Sequence, residues 1–219
     1  MRDVLLRIRF MFGHLYRRYR GTFHPHMGAP PYPKKIQRMV RWSDDPVRYA
    51  TVALALERIR KESIKGAIAE VGVWRGQMSQ FLHQQMPERM LYLFDTFQGF
   101  PDQTDGRFRD TNIETVKTRI GDLSNIEFRV GIFPDTAKGL EQETFSFVFF
   151  DADKYEAAMA SFEFFYPRLS LGGYFVLHDF NSPESEGGVS KAVHDFMQEK
   201  PERLIEIPDV CGTVVFRKC

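Results

Sequence analysis

From Ala67 onward the chain alternates short apolar runs with stretches of helical periodicity, and few architectures satisfy that alternation. The apolar runs are residues 67–73, 91–95, 126–130, 145–151, 174–178, 204–207 and 213–216. Helical patterns fall between them at residues 77–85, 112–120, 155–169 and 189–199. A strand that returns to the same sheet through a helix must run parallel to its predecessor, with a right-handed crossover. Helices then cover both faces, and the strands read as continuous apolar runs rather than alternating ones. The last two runs have no full helix between them, so they are expected to pair antiparallel at one end of the sheet. Gly172-Gly173 reads as a turn into the fifth strand. The expected fold class is α/β, a doubly wound, mostly parallel, seven-stranded sheet with an N-terminal helical extension.

The extension reads differently. Residues 1–20 form an amphipathic pattern with Val4, Ile8, Met11, Phe12, Leu15 and Tyr19 on one stripe. Gly21 ends it. Residues 28–33 carry three prolines and read as a connecting arm. Pro46, after Asp44 and Asp45, opens a helix that runs to about Lys61. The chain therefore divides into residues 1–45, a basic helix and arm acting as a lid or dimer contact, and residues 46–219, one domain. At 219 residues and 43% hydrophobic content, one full core is affordable in size.

Charge excludes some partners. The net charge is +1, so nothing global points to nucleic acid. Ten of the Lys and Arg residues lie within 1–41 against a single acid, Asp3, which leaves the remainder acidic. Cys211 and Cys219 make neither a disulfide framework nor a metal-ligand spacing. No apolar run is long enough to span a bilayer, and arginines break up any signal-peptide core. A cytoplasmic protein is expected. A basic amphipathic helix can touch a membrane surface. The position of the arm favours a lid or a homodimer contact instead. Trp42 and Trp74 have no assigned chemistry and are expected in core or lid packing.

In open α/β sheets, ligands sit beyond the carboxyl ends of the strands at the switch point. The residues that end these strands are Glu70 to Gly76, Asp95, Gly131, Asp151 with Asp153, and His178 with Asp179. Four of the five ends carry an acid, too polar for packing alone. Gly72 lets the first strand turn sharply and a ligand approach. Gly76 lets the next helix pack closely or point its N-terminus at the ligand, and Ser79 lies one turn in. The spacing is G-x-x-x-G, not the G-x-G-x-x-G of dinucleotide sites. Asp95 is placed to accept ribose hydroxyls, or to cap a turn. Without a phosphate-cradling triple glycine, the site suits a nucleoside lacking pyrophosphate. Asp151 and Asp153 leave the fourth strand two residues apart, so one can hold a cation while the other takes a proton; equally, Asp153 can cap the next helix. Asp151, His178 and Asp179 bring two carboxylates and an imidazole to one point. Oxygen ligands suit Mg²⁺, and the imidazole moves the preference toward Mn²⁺, Fe²⁺ or Zn²⁺. The bland alternative for His178 is a hydrogen-bonded structural histidine.

Six stretches in order resemble the macrocin and mycinamicin (TylF-like) O-methyltransferase family, which includes aminocoumarin sugar methyltransferases. They are Ala69-Glu-Val-Gly-Val-Trp-Arg-Gly76, Phe94-Asp-Thr-Phe-Gln-Gly-Phe-Pro101, Val130-Gly-Ile-Phe133, Phe150-Asp-Ala-Asp-Lys-Tyr155, Tyr166-Pro-Arg-Leu-Ser-Leu-Gly-Gly173, and His178-Asp-Phe180 with Gly188-Val-Ser-Lys-Ala-Val193. The resemblance covers about residues 46–197. It implies a Rossmann-like class I methyltransferase that uses S-adenosylmethionine. It implies that Glu70, Gly72, Gly76, Ser79, Asp95, Thr96, Gly131 and Asp151 line the cofactor site, with Asp95 on the ribose. It also implies Asp151, His178 and Asp179 as ligands of Mg²⁺ or Mn²⁺, and Asp153 as general base. One departure stands out: closer relatives carry two acids, or Asp-Asn in the wider metal-dependent class, where this chain has His178-Asp179.

Methyl transfer from a sulfonium is an in-line displacement, so the protein must align an oxygen with the methyl group. With a metal, adjacent hydroxyls are oriented and acidified, and Asp153 removes the proton. Without one, His178 becomes the better base because its ordinary pKa lies nearer working pH. The expected acceptor is a hydroxyl of a small molecule, a sugar or glycosylated natural product first and a catechol-like phenol second. The rivals are a non-catalytic nucleotide-binding or membrane-docking module on the same fold, a dehydrogenase, which the absent G-x-G-x-x-G disfavours, and N-methylation, which would not need the acid cluster.

Overall fold

A computed structural model describes residues 33–99 and 108–219. The expected amphipathic helix over 1–20 and all but the last residue of the proline arm lie outside the described residues. The elements in chain order are α1 (Lys34–Trp42), α2 (Pro46–Lys61), β1 (Ala67–Val71), α3 (Gln77–Gln85), β2 (Leu91–Asp95), α4 (Ile113–Ile120), β3 (Ile126–Val130), β4 (Phe145–Phe150), α5 (Tyr155–Phe165), β5 (Leu169–Leu177), α6 (Gly188–Met197), β6 (Ile205–Ile207) and β7 (Thr213–Arg217).

The seven strands form one sheet in the order β3-β2-β1-β4-β5-β7-β6. Strands β1 to β5 are parallel, and β7 runs antiparallel to both β5 and β6. The strand order reverses between β1 and β4, which places the switch point there. Among the described residues no helix is long and apolar enough to cross a membrane.

Two apolar cores lie on opposite faces of the sheet. One packs α1 to α4 against β1, β2 and β4; the other packs α5 and α6 against the reverse face. Strand β4 shows how one segment serves both. Phe147 and Phe149 point to the first core, while Phe145, Val148 and Phe150 point to the second. All five are fully buried. A register irregularity at Ser146 separates Phe145 from Phe147, and the Ser146 hydroxyl is satisfied by the carbonyl oxygens of Gly66 and Ala67. Strand-length runs of large apolar side chains are what a sheet buried on both sides requires.

Helix α2 starts where expected, with Asp45 as N-cap and Pro46 in the first turn. Four details differ from the sequence reading. Helix α1 occupies part of what read as arm: Ile36 and Val40 are buried and pack into the first core, while Trp42 is 63% exposed rather than core. The first strand stops at Val71, not Val73, because Gly72 turns at φ +88° and the Val73 and Trp74 amides bond to the Asp95 side chain instead of a neighbouring strand. Helix α5 ends at Phe165; Pro167 tightens Tyr166–Arg168 into a 3₁₀ turn, and Leu169 already belongs to β5. Gly172-Gly173 is not a turn before the strand but part of it. A Cβ on Gly173 would lie 2.9 Å from the Ser146 carbonyl oxygen, and one on Gly172 would lie 2.8 Å from Ile64. Those glycines permit close backbone approach inside a strand.

The parallel ladder continues one step past the strand ends. Gly131 N–H donates to Asp95 O, Gly72 N–H to Phe94 O, Asp151 N–H to Val71 O and His178 N–H to Phe150 O, all at 2.8–2.9 Å. These four bonds bring Asp95, Gly72, Asp151 and His178 to one level above the sheet. Gly72 is indispensable to that arrangement, because its missing Cβ would sit 1.9 Å from the Asp151 carbonyl oxygen. Gly72→Ala combines a left-handed φ with this overlap, so it is expected to destabilise the fold by about 3 kcal/mol or more. Equilibrium denaturation checks this; a loss under about 1 kcal/mol would show that the strands separate easily there.

Candidate active site

A cleft of about 690 Å³ opens above the carboxyl ends of the parallel strands, at the switch point between β1 and β4. That volume is typical for a small-molecule site. Backbone conformation is unusual around it. Among the described residues nine non-glycine residues have positive φ, and five of them, Trp74, Phe108, Asp153, Asp179 and Cys211, line the cleft. Such conformations cost of order 1–3 kcal/mol each and persist where the surroundings impose them.

At the β1–β2 end, Asp95 organises the loops. One carboxylate oxygen accepts the amides of Val73 at 2.7 Å and Trp74 at 2.9 Å; the other accepts the amide of Phe97 at 2.6 Å. The loop after β1 is strapped down a second time. The Trp74 indole N–H donates to Asp110 at 2.8 Å, Arg75 pairs with the same carboxylate, and the Thr111 hydroxyl donates to the Trp74 carbonyl. Arg75 lies 4.4 Å from the Trp74 ring centroid, and Phe108 meets that ring edge-on at 6.0 Å. Residues 108–111 are thereby fastened over the loop, and Trp74, Phe108 and Thr111 form one wall of the cleft.

Beneath this wall lies Glu70, almost fully buried, which accepts a hydrogen bond from the Ser79 hydroxyl. Burial pushes its carboxyl well above its ordinary value, and Asp151 and Asp95 push it further.

At the β4–β5 end, five ionisable groups converge. His178 Nδ1 lies 3.2 Å from Asp151 Oδ1 and 3.1 Å from Asp179 Oδ2. Its Nε2 lies 2.9 Å from the Val210 carbonyl oxygen, so that nitrogen carries the proton. The second Asp151 oxygen meets Arg48 Nη1 at 3.3 Å. Burial alone would lower the imidazole's pKa, but Asp151 and Asp179 outweigh it and lift it to about 11. Asp153 is pushed up to about 8 by burial and by the neighbouring Asp179 and Asp151 carboxylates. For Asp179 burial also acts upward, yet hydrogen bonds from His178 and Asp153 hold its carboxyl below the usual range. The three carboxylates thus share too little positive charge, and one of them keeps a proton near neutrality.

Comparison with known proteins fits this geometry. A family profile, macrocin O-methyltransferase (TylF), matches residues 45–218. The chain belongs to the macrocin O-methyltransferase family. It is a methyltransferase, and its methyl donor is S-adenosylmethionine. The mycinamicin III 3''-O-methyltransferase of Micromonospora griseorubida is 28% identical over 179 residues, covering 69% of each chain. A tetracenomycin rhamnosyl 4'-O-methyltransferase of Streptomyces olivaceus is 26% identical over 172 residues, covering 68% of this chain and 64% of that one. Among solved structures, the O-methyltransferase NovP superposes with a TM-score of 0.67 at 20% identity, over 94% of this chain and 93% of that chain. The S-adenosylhomocysteine-bound Podospora anserina methyltransferase PaMTH1 gives 0.61 at 14% identity, over 95% and 96%.

In this O-methyltransferase, most residues singled out from sequence do meet. Glu70, Gly72, Asp95, Thr96, Gly131, Asp151, Asp153, His178 and Asp179 all line the cleft. Gly76 and Ser79 do not. Gly76 caps α3 in the left-handed region, where a Cβ would lie 2.7 Å from Val116, so its absence of side chain serves the packing of α3 on α4. Ser79 is fully buried and holds Glu70. Sequence reasoning missed Arg48 and the Trp74–Asp110 strap. Arg48 lies on α2 outside every strand end, and only the folded chain brings it to Asp151.

Two outcomes test these contacts. Asp110→Ala frees the Trp74 wall and is expected to weaken S-adenosylhomocysteine binding about tenfold, the worth of a charged hydrogen bond; an unchanged calorimetric Kd would remove the strap from cofactor binding. Glu70→Gln tests burial. Between the ordinary carboxyl value of 4.5 and the raised folded one, the unfolded chain releases a proton the folded chain keeps, so stability falls as pH rises. The glutamine variant lacks that loss. Its melting temperature should exceed that of the parent increasingly above pH 4.5, and parallel pH curves would refute the buried neutral acid.

Proposed function

We propose that this protein methylates a sugar hydroxyl of a glycosylated natural product, with Asp153 as general base and a divalent cation held by Asp151, His178 and Asp179. The observation that carries this reading is the convergence of those four side chains in the same cleft as the Glu70–Asp95 end. Relatives named for mycinamicin and for a rhamnosyl tetracenomycin support the sugar acceptor.

The donor set fits Mg²⁺ or Mn²⁺. The ligand atoms of Asp151, His178 and Asp179 lie within 4.8 Å of one another. His178 gives its Nε2–H to a backbone carbonyl, which aims Nδ1 at both carboxylates, the usual arrangement of a ligating histidine. The surplus of carboxylate charge is also what a divalent cation relieves. Bound there, such a cation supplies Lewis acidity that orients an acceptor hydroxyl and lowers its pKa.

The protein's own groups do the rest. The Glu70–Asp95 end, with Gly72, Thr96 and Gly131, holds S-adenosylmethionine, and Asp95 takes a ribose hydroxyl. The sheet level shared by Asp95 and Asp151 directs the sulfonium methyl toward the acid end. The acceptor oxygen approaches in line, and Asp153 removes its proton as the carbon–oxygen bond forms and the carbon–sulfur bond breaks. His178 is not the base in this reading: with its pKa lifted to about 11 it is already protonated at neutral pH when no cation is bound. Two free cysteines agree with a reducing cytoplasm.

The test is turnover of a panel of deoxysugar glycosides, with catechols as controls, in EDTA and then with Mg²⁺ or Mn²⁺. Turnover of glycosides that needs the cation is expected. Asp153 must be unprotonated to act, so kcat/KM should rise with pH through a value at or below 8, moved lower by the cation. Asp153→Asn should remove that limb and cost about a hundredfold or more in rate. A retained limb would transfer the base role elsewhere, and EDTA-resistant turnover would remove the cation.

A further inference from the structure

Asp45 uses its two carboxylate oxygens for different purposes. One accepts the amides of Val47 at 3.2 Å and Arg48 at 3.1 Å and so caps α2. A cap needs only one oxygen. The other accepts the amide of Val210 at 3.0 Å, from the loop between β6 and β7. Asp45 is 3% exposed, so both contacts are shielded from water. The Val210 side chain is 60% exposed and does not anchor the loop by packing. Its backbone is what is held, on both sides of the Cα: the N–H donates to Asp45, and the C=O accepts from His178 Nε2 at 2.9 Å.

We propose that Asp45 is a positioning residue for methyl transfer, acting through the placement of the Val210 backbone to fix the ring of His178 and through the start of α2 to fix Arg48. Both of these side chains grip Asp151, His178 on one oxygen at 3.2 Å and Arg48 on the other at 3.3 Å. One buried carboxylate thereby governs the orientation of Asp151 from both sides. The rest of the loop supports the same placement: Phe180 N–H donates to Gly212 O at 3.0 Å and Asn181 N–H to Cys211 O at 2.8 Å. Asp209 stands near Asp45 and His178 as well. That trio is not read as a metal site, because Nε2 already gives its proton to Val210. The inference rests on the reading of this acid cluster as the methyl-transfer site.

Asp45→Ser separates the two purposes, since serine caps a helix as well as aspartate does but has no second oxygen for Val210. Asp45→Asn serves as the second variant, because its amide offers one acceptor oxygen for two demands. The readouts are the His178 Nε2–H signal in long-range proton–nitrogen spectra, assigned by its loss in His178→Asn, calorimetric binding of S-adenosylhomocysteine, melting temperature, and turnover. Both variants are expected to lose or shift the Nε2–H signal and to lower kcat about tenfold to a hundredfold. Cofactor affinity should stay within about twofold and the melting temperature near that of the parent. An unchanged Nε2–H signal would overturn the proposal, as would a shifted signal with unchanged kcat, or a fall in kcat matched by the losses in cofactor binding and melting temperature. If the parent methylates no glycoside at all, the function proposed above fails, and the spectra still decide whether Asp45 orients His178.

Discussion

The Asp151 carbonyl oxygen lies where a side chain on Gly72 would begin, and the geometry of the cleft follows from that contact. Strands β1 and β4 come together at the switch point and must do so without a Cβ between them. The Asp151 amide then completes the ladder on Val71, and the His178 amide completes it on Phe150. Two chemical centres far apart in sequence are thus set at one height by backbone hydrogen bonds, before any side chain contributes. A cofactor reaching from β2 to β4, as proposed, would meet both. The large apolar side chains of β4 supply the rigidity, because every one of its phenylalanines is pinned in a core on one side of the sheet or the other.

Electrostatics at the acid end are a problem of balance. Asp151, Asp153 and Asp179 crowd together, and Arg48 and His178 oppose them. Burial magnifies each interaction. The protein resolves the imbalance by protons: His178 holds one more than a free histidine would, and Asp153 retains one near neutrality. A bound divalent cation would meet the same need differently, releasing protons as it entered. If the site takes a cation as proposed, its occupancy would vary steeply with pH.

Much of the fold was legible because it rests on periodicity. Strands β2 and β3 and helices α2 and α3 have the bounds that apolar spacing and the Asp45-Pro46 cap indicate. What was not legible depends on contacts between distant segments. Gly172-Gly173 has the composition of a turn, and only the approach of Ser146 shows why those positions lack side chains within a strand. Helix α1 follows a proline-rich stretch and carries just two buried residues, so its pattern is thin. At the site the same division holds. Residues that end strands could be found by locating the strands, which is why Asp95, Asp151, Asp153, His178 and Asp179 were found. Arg48 and Asp110 end no strand and match no spacing. Ser79 and Gly76 were placed on the correct helix turn, but whether such a residue faces ligand or core is decided by helix rotation and by neighbours such as Glu70 and Val116.

Asp95 shows how a structural duty can sharpen recognition. One of its oxygens accepts two amides; the other accepts the Phe97 amide at 2.6 Å and has the Thr96 hydroxyl 3.5 Å away. A carboxylate free in solution could turn to meet a ligand, but the plane of this one is fixed by its backbone partners. If Asp95 receives the ribose as proposed, the hydrogen bonds that hold the Val73-Trp74 turn closed would also set the orientation of the nucleoside and with it the direction of the methyl group.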